Sequence, residues 1–429
     1  MFHKFFQSSF WTQVFLVALF AFAAHIFINN LSMNVVMRFY CLGGKIFLQG
    51  NDPYKATEQY GMANSFKYSP QFALLSGNIE RVLPASTCDM QVNMVTHGFL
   101  VVVQDHDQQP RYGLSRTPAI VLGVWTLASI VIFALGLCRW CKLSNPAPFY
   151  IILAFLAAML DLVISTGVYQ VNAITIGLML LGLAEYRDGR YFNAGALLVL
   201  AANIKIYPVI FLIALLFRFR WKYLAGALVC GIVIFILPAF WVGWTFNLNM
   251  HIAWVKAVLD VGGAVRILDI VASFERVGLA RLGVVLDKVV FVASLVILYA
   301  YAIFSKRMDW RPWAAFGVAA MLLVSPRSEV FTYAMLAPAY LYMFYWCRES
   351  ETPFMKKFGA IIITLLAVVC ASCRFTDPNW NKSETPMEII RVLCSLGFWI
   401  FTGTVLTLSL LGQFKEWRGR RRALALSSI

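Results

Sequence analysis

YLAGALVCGIVIFILPAFWVGW, residues 223–244, runs without one charged side chain. At 1.5 Å of rise per residue a helix of this length covers the hydrocarbon core of a bilayer, about 30 Å. Segments like it recur at 11–31, 118–137, 148–165, 168–185, 289–304, 312–325, 328–346, 358–373 and 391–412. A further apolar stretch, 191–217, is interrupted near Pro208. The chain is 60% hydrophobic and 13% charged, about half the charge of an ordinary soluble domain. Lipid leaves helices as the economical way to satisfy the backbone of such segments. The fold class expected is therefore an all-α polytopic membrane protein, a helical bundle of about 10–12 spans over residues 1–429.

The net charge of +15 raises the question of nucleic acid, and its distribution answers it. The basic residues cluster in short connections: Arg139 and Lys142; Arg187 and Arg190; Arg218, Arg220 and Lys222; Lys306, Arg307 and Arg311; Arg348, Lys356 and Lys357. A basic tail over 413–429, with Arg418 and Arg420 to Arg422, completes the set. These clusters share one side when the spans alternate, which is the positive-inside pattern. Membrane lipids are the partner this implies, and no nucleic acid. Both termini are then cytoplasmic, and 191–217 must return to the side it left, as a re-entrant hairpin or two short spans. The first span is too long for a signal peptide and reads as retained.

Two segments on the opposite, external side are long: loop 1 over 32–117, and 245–288. Long connections on a rigid scaffold are where function concentrates. Residues 32–77 alternate aromatic and polar side chains and read as short interfacial helices. Residues 78–117 read as an inserted hairpin, with a β-like run at 95–103 and a polar turn holding Asp105, His106 and Asp107. Cys41 and Cys88 share this loop and are able to pair in an oxidising compartment. Cys138 and Cys141 form a lone CxxC with no second pair and no nearby histidine, so zinc is not expected. No Walker loop, HExxH or GxSxG occurs, which disfavours nucleotide or zinc hydrolysis. No metal or other cofactor is expected.

Gly50-Asn51-Asp52-Pro53-Tyr54 places a tight acidic turn just after the first span. The commoner role of such an aspartate is to cap or brace its turn. The functional alternative is a general base that activates an acceptor hydroxyl, with Glu58 as the nearest substitute. Asp161 lies inside a span, where a carboxylate is costly and marks a candidate site. Gln170 and Asn172 follow at the junction of two spans and suit a polar ligand such as a sugar, or hydrogen bonding between helices. Lys205, in Asn203-Ile204-Lys205-Ile206-Tyr207-Pro208, must find an anion or reach an interface. Arg327 and Glu329 pair with each other, or Arg327 receives a phosphate. Arg266, Arg276 and Arg281 add positive charge to the second external segment, where the positive-inside rule does not place it.

The order of these pieces resembles glycosyltransferase family 87, polytopic GT-C enzymes that include polyprenyl-phosphate-mannose-dependent α-mannosyltransferases. The pieces are Arg38-Phe39-Tyr40, the Gly50–Tyr54 turn, Tyr68-Ser69-Pro70, Gly167 with Gln170-Val171-Asn172, Ile204 to Pro208 before the Arg218 cluster, and Ser325-Pro326-Arg327. The resemblance implies transfer of a hexose from a polyprenyl-phosphate donor to a lipid-linked or cell-envelope glycan at the external face of a bacterial inner membrane. It implies inversion at the anomeric carbon. Asp52 and Glu58 are then the catalytic candidates. Arg38, Tyr54, Tyr68, Asp161, Gln170, Asn172, Lys205, Arg327 and Glu329 are the substrate-binding candidates. One departure bears on catalysis. The family's usual loop aspartate falls near Val36, and Ser32-Met33-Asn34-Val35-Val36-Met37 holds no carboxylate. Either Asp52 substitutes or the chain is an inactive relative that binds lipid or glycan or serves in assembly. A glycan polymerase or a transporter is the remaining alternative.

Overall fold

The computed structural model describes residues 35–55, 66, 68–80, 116–141, 170–259, 270–305, 308–324, 330–372 and 386–427. The regular elements among them are helical. They are α1 (Val35–Leu48), α2 (Pro70–Glu80), α3 (Arg116–Cys141), α4 (Asn172–Arg187), α5 (Tyr191–Ile204), α6 (Val209–Leu216), α7 (Trp221–Ile236) and α8 (Ala239–Val242). There follow α9 (Trp244–Leu259), α10 (Ile270–Arg276), α11 (Ala280–Phe304), α12 (Trp310–Val324), α13 (Leu336–Glu349), α14 (Ala360–Ser372) and α15 (Pro386–Ser427). Eight of the expected spans fall on α3, α4, α7 with α8, and α11 to α15. Those at 11–31 and 148–165 lie outside the described residues, as does the 95–103 run.

Among the described residues three segments are long and apolar enough to cross a membrane: Trp221–Val242, Ala280–Phe304 and Ile389–Glu416. Only 11% of the first and 22% of the second is buried inside the protein. Val229, Ile232 and Val233 on one, and Val285, Val292 and Val296 on the other, stand exposed. Apolar surface of that extent needs lipid rather than water around it, and the chain is a membrane protein. The basic tail continues α15 as helix to Ser427.

The basic clusters meet at one end of the bundle. Tyr186 near the end of α4 packs its ring against Tyr191 of α5, Tyr223 of α7 and Trp310 of α12, at centroid distances of 5.0, 5.2 and 5.6 Å. The buried Glu185 carboxylate binds Arg139 at 2.6 Å and Arg190 at 2.5 Å. Arg187 donates to the carbonyls of Trp140 and Arg139 at the end of α3. Arg218 donates to the carbonyls of Ala302 and Ser305. Arg190 and Arg218, which flank 191–217, therefore both belong to this basic end. The stretch is a re-entrant hairpin: α5, a turn over 205–208, and α6. With 14 and 8 residues, the two helices reach about 21 and 12 Å, short of a bilayer core.

Close helix crossings hold the hairpin upright. A Cβ added to Gly195 of α5 would stand 2.2 Å from the carbonyl oxygen of Tyr223, and one on Gly226 of α7 would stand 2.0 Å from that of Phe192. Small residues permit this approach where lipid gives helices no hydrophobic reason to associate. Neither backbone can yield without moving its helix. Gly226→Val is expected to cost about 2–3 kcal/mol or more, read as a lowered thermal midpoint of the detergent-solubilised protein. An unchanged midpoint would show that α5 and α7 do not depend on this crossing.

Candidate functional site

The far end of the bundle, away from the basic clusters, gathers loop 1. Helix α1 ends on Gly50, whose φ of 76° suits glycine. The amides of Gly50 and Asn51 return to the carbonyls of Phe47 and Ile46, at 3.0 and 3.1 Å. This closes the helix in a Schellman turn and turns the chain sharply into Asp52. Asp52 Oδ1 then accepts the backbone amides of Tyr54 at 2.9 Å and Lys55 at 3.3 Å. Pro53 follows the capping residue and begins one helical turn over 53–55. The bracing role expected of this aspartate is thus observed, and it uses one carboxylate oxygen.

That turn drives Tyr54 inward. Its hydroxyl donates to the carbonyl of Tyr68 at 2.8 Å. Burial, reinforced by the Asp52 carboxylate, holds this hydroxyl well above the usual phenol range, so it stays a donor. Tyr68 in turn meets Tyr40 of α1, hydroxyl to hydroxyl at 3.1 Å. Their rings cross edge to face at 4.9 Å, and Phe72 stacks within 4.7 Å of Tyr68. Ser69 caps α2 by accepting the Phe72 amide, with Pro70 as the first helical residue. Tyr54→Phe is expected to lower stability by about 1 kcal/mol, the net value of one buried hydrogen bond. A thermal midpoint equal to the parent's would mean that the bond to Tyr68 is dispensable.

Val171 and Ile204 join the same aromatic cluster from the bundle side. Each is followed directly by a candidate residue. Asn172 opens α4, fully buried, and its Oδ1 accepts the Lys205 ammonium at 2.8 Å. Lys205 sits where α5 ends, with extended backbone, and its Nζ lies 5.7 Å from the centre of the Tyr207 ring. The amide and the aromatic face hold the ammonium at the tip of the re-entrant hairpin. Gln170 is buried one residue before this junction. Asn172 lies fifteen residues from Arg187 along α4, about 22 Å from the basic end.

The fold therefore brings together Tyr54, Tyr68, Asn172 and Lys205, with Asp52 and Gln170 beside them in the chain. Arg38 lies on α1, and Val36 opens the same helix. Glu58, Asp161, Ser325, Pro326, Arg327 and Glu329 lie outside the described residues, as do Cys88, Asp105, His106, Asp107 and Arg266. No cluster of histidine, cysteine or carboxylate side chains suited to a metal occurs among the described residues.

A second polar group at this end escaped the sequence reading. Pro238 has no N–H, which deprives the Ile234 carbonyl of its helical donor. Gln71 Nε2 supplies one at 2.8 Å, and Asn247 Nδ2 donates to the neighbouring Phe235 carbonyl at 2.8 Å. Gln71 Nε2 also lies 2.6 Å from His251 Nε2, and His251 Nδ1 lies 2.8 Å from the Asn247 carbonyl. A proline inside an apolar span was the available signal, because its orphaned carbonyl must find a side-chain donor.

The family model of glycosyltransferase family 87 matches residues 113–326. No curated protein and no solved structure matches the chain. The matched region contains Gln170, Asn172, Lys205 and His251, whereas Asp52, Tyr54, Tyr68 and Gln71 precede it.

Proposed function

Since the chain belongs to glycosyltransferase family 87, we propose that it transfers a hexose, mannose first among the candidates, from a polyprenyl-phosphate donor to a lipid-linked or cell-envelope glycan. The observation that carries this reading is the Lys205 ammonium held by Asn172 at the tip of the re-entrant hairpin, against an aromatic cluster. An ammonium about 22 Å above the basic end suits a phosphate that is tethered to a lipid tail and lies near the far surface of the membrane.

In this reading the acceptor hydroxyl approaches the anomeric carbon from the side opposite the phosphate. The Asp52 carboxylate takes the hydroxyl proton as the new glycosidic bond forms. The bond from the anomeric carbon to the phosphate oxygen breaks, the carbon inverts, and Lys205 stabilises the departing lipid phosphate. Asp52 keeps one carboxylate oxygen outside its turn for that proton. Arg38, Asp161, Gln170, Arg327 and Glu329 are proposed to line the sugar and phosphate sites, with Glu58 as the alternative base. The basic end is placed in the cytoplasm of a bacterial cell and the site on the external face. No metal is required.

The absence of a carboxylate over residues 32–37 favours a second reading, a relative that binds the lipid-phosphate sugar without turning it over. Purified protein in nanodiscs, offered polyprenyl-phosphate-mannose and its glucose and arabinose counterparts with a mixed lipid-glycan acceptor extract, separates the two. Labelled product establishes transfer. Saturable donor binding without product establishes the second reading, and neither result overturns both.

A further inference from the structure

The hydrogen bonds around Gln71 fix the protonation state of His251. Gln71 Nε2 has two hydrogens, and two acceptors stand within reach, the Ile234 carbonyl and His251 Nε2. Exchanging the oxygen and nitrogen of this amide would set Oε1 against the Ile234 carbonyl, two acceptors face to face. The amide orientation is thus set by Pro238, and His251 Nε2 must accept. His251 Nδ1 then carries the hydrogen and donates to the Asn247 carbonyl. Only a neutral imidazole satisfies both contacts. An imidazolium would present a hydrogen at Nε2 to the Gln71 N–H group. Turning the amide to receive that hydrogen would strip the Ile234 carbonyl of its donor.

The position of this pair gives it a consequence. Gln71 follows Tyr68-Ser69-Pro70, the segment on which Tyr54 and Tyr40 converge. His251 is in the middle of α9, whose Met250, Phe246 and Trp254 pack into the same aromatic cluster. The two residues are 180 positions apart in the chain. We propose that Gln71 and His251 are a positioning pair: they fasten α9 and the Pro238 break of α7 to loop 1, and the fastening requires a neutral imidazole. It rests on the transferase reading only for its effect on sugar transfer.

The titratable surroundings are sparse. On α9 itself Lys256 lies five residues on. On α2 the carboxylate is Glu80, nine residues from Gln71. On α7 Cys230 is four residues before Ile234, and Lys222 and Tyr223 lie at the opposite, basic end. Helix α8 carries no titratable side chain. Tyr40, Tyr54 and Tyr68 face the cluster from loop 1. Burial lowers the His251 pKa below the ordinary imidazole value of 6.5, with the Asn247 bond opposing. A histidine with a depressed folded pKa contributes stability above its unfolded value. That stability is lost progressively as pH falls from about 6.5 toward the lower folded value.

The test uses the full chain in nanodiscs and follows amide hydrogen exchange in residues 68–80 and 244–259 at pH 7.5 and 5.5, corrected for intrinsic rates. His251→Gln keeps an acceptor for Gln71, and His251→Phe does not. The parent is expected to exchange about fivefold faster at pH 5.5 in both segments, the loss of about one net hydrogen bond. His251→Gln is expected to stay protected at both values, and His251→Phe to exchange fast at both. Where the parent transfers sugar from polyprenyl-phosphate-mannose, an acid limb in kcat that vanishes in His251→Gln is expected with it. Parent-like protection in His251→Phe, or acid loosening that persists in His251→Gln, overturns the pair. Absence of turnover in the parent overturns the transferase reading alone, because the exchange pattern still decides the fastening.

Discussion

Lys205→Met lowers sugar transfer by about a hundred- to a thousandfold, the usual cost of removing one group that stabilises a developing negative charge. Methionine keeps the unbranched stem and its contact with the Tyr207 ring while losing the ammonium. The effect is therefore one of charge rather than of packing. The only bond lost to described residues is that to Asn172 Oδ1, and Asn172→Leu in the Lys205→Met background controls for the orphaned amide. Lys205→Arg is expected to recover part of the rate, since guanidinium also binds phosphate but with different reach. Initial rates with polyprenyl-phosphate-mannose, alongside elution profile and thermal midpoint, separate lost chemistry from lost fold. A variant that keeps its rate would remove Lys205 from the phosphate site. A variant that loses rate and fold together would assign it to structure.

Asp52→Asn lowers transfer by a similar factor, about a hundred- to ten-thousandfold, the range for a lost general base. The local geometry makes this substitution unusually clean. Asparagine retains Oδ1, and that atom accepts the amides of Tyr54 and Lys55. The turn and the inward course of Tyr54 therefore survive while the proton acceptor disappears. Asp52→Ala removes both and is expected to lower the thermal midpoint as well, by the roughly 1 kcal/mol of a lost cap. Full activity in Asp52→Asn would reduce Asp52 to its bracing role and turn attention to Glu58. The difference between the two variants measures how much of the aspartate's contribution is architectural.

Local signals in the sequence carried far. The interruption at Pro208, with basic residues on both flanks, required 191–217 to return to its own side, and α5 and α6 do so. The aromatic alternation over 32–77 pointed to short helices, and α1 and α2 appear there. Asn172 and Lys205 were each legible as polar residues that an apolar setting must accommodate. That they accommodate each other was not, because a contact across 33 positions has no local signature. Gln71, Asn247 and His251 were invisible for the same reason. An amide or imidazole in an amphipathic segment looks like surface until the carbonyl it serves is identified. Asp52 showed the opposite limit: the turn motif gave its cap correctly, while a cap and a base use the same carboxylate.

The two ends of the bundle are held by different kinds of contact. Near Tyr186, four aromatic rings and a set of arginine bonds tie α3, α4, α5, α7 and α12 into a floor. Near Lys205 and Gln71, single hydrogen bonds between side chains join segments far apart in sequence. Any rocking of the helices then pivots on the floor. With arms of 16 residues in α4 and α7, about 24 Å, a tilt of about 5° swings the upper tips by about 2 Å. That is enough to part a 2.8 Å bond such as Lys205 to Asn172 while the floor barely stirs. The molecule is geared so that small motions are magnified where a substrate would enter.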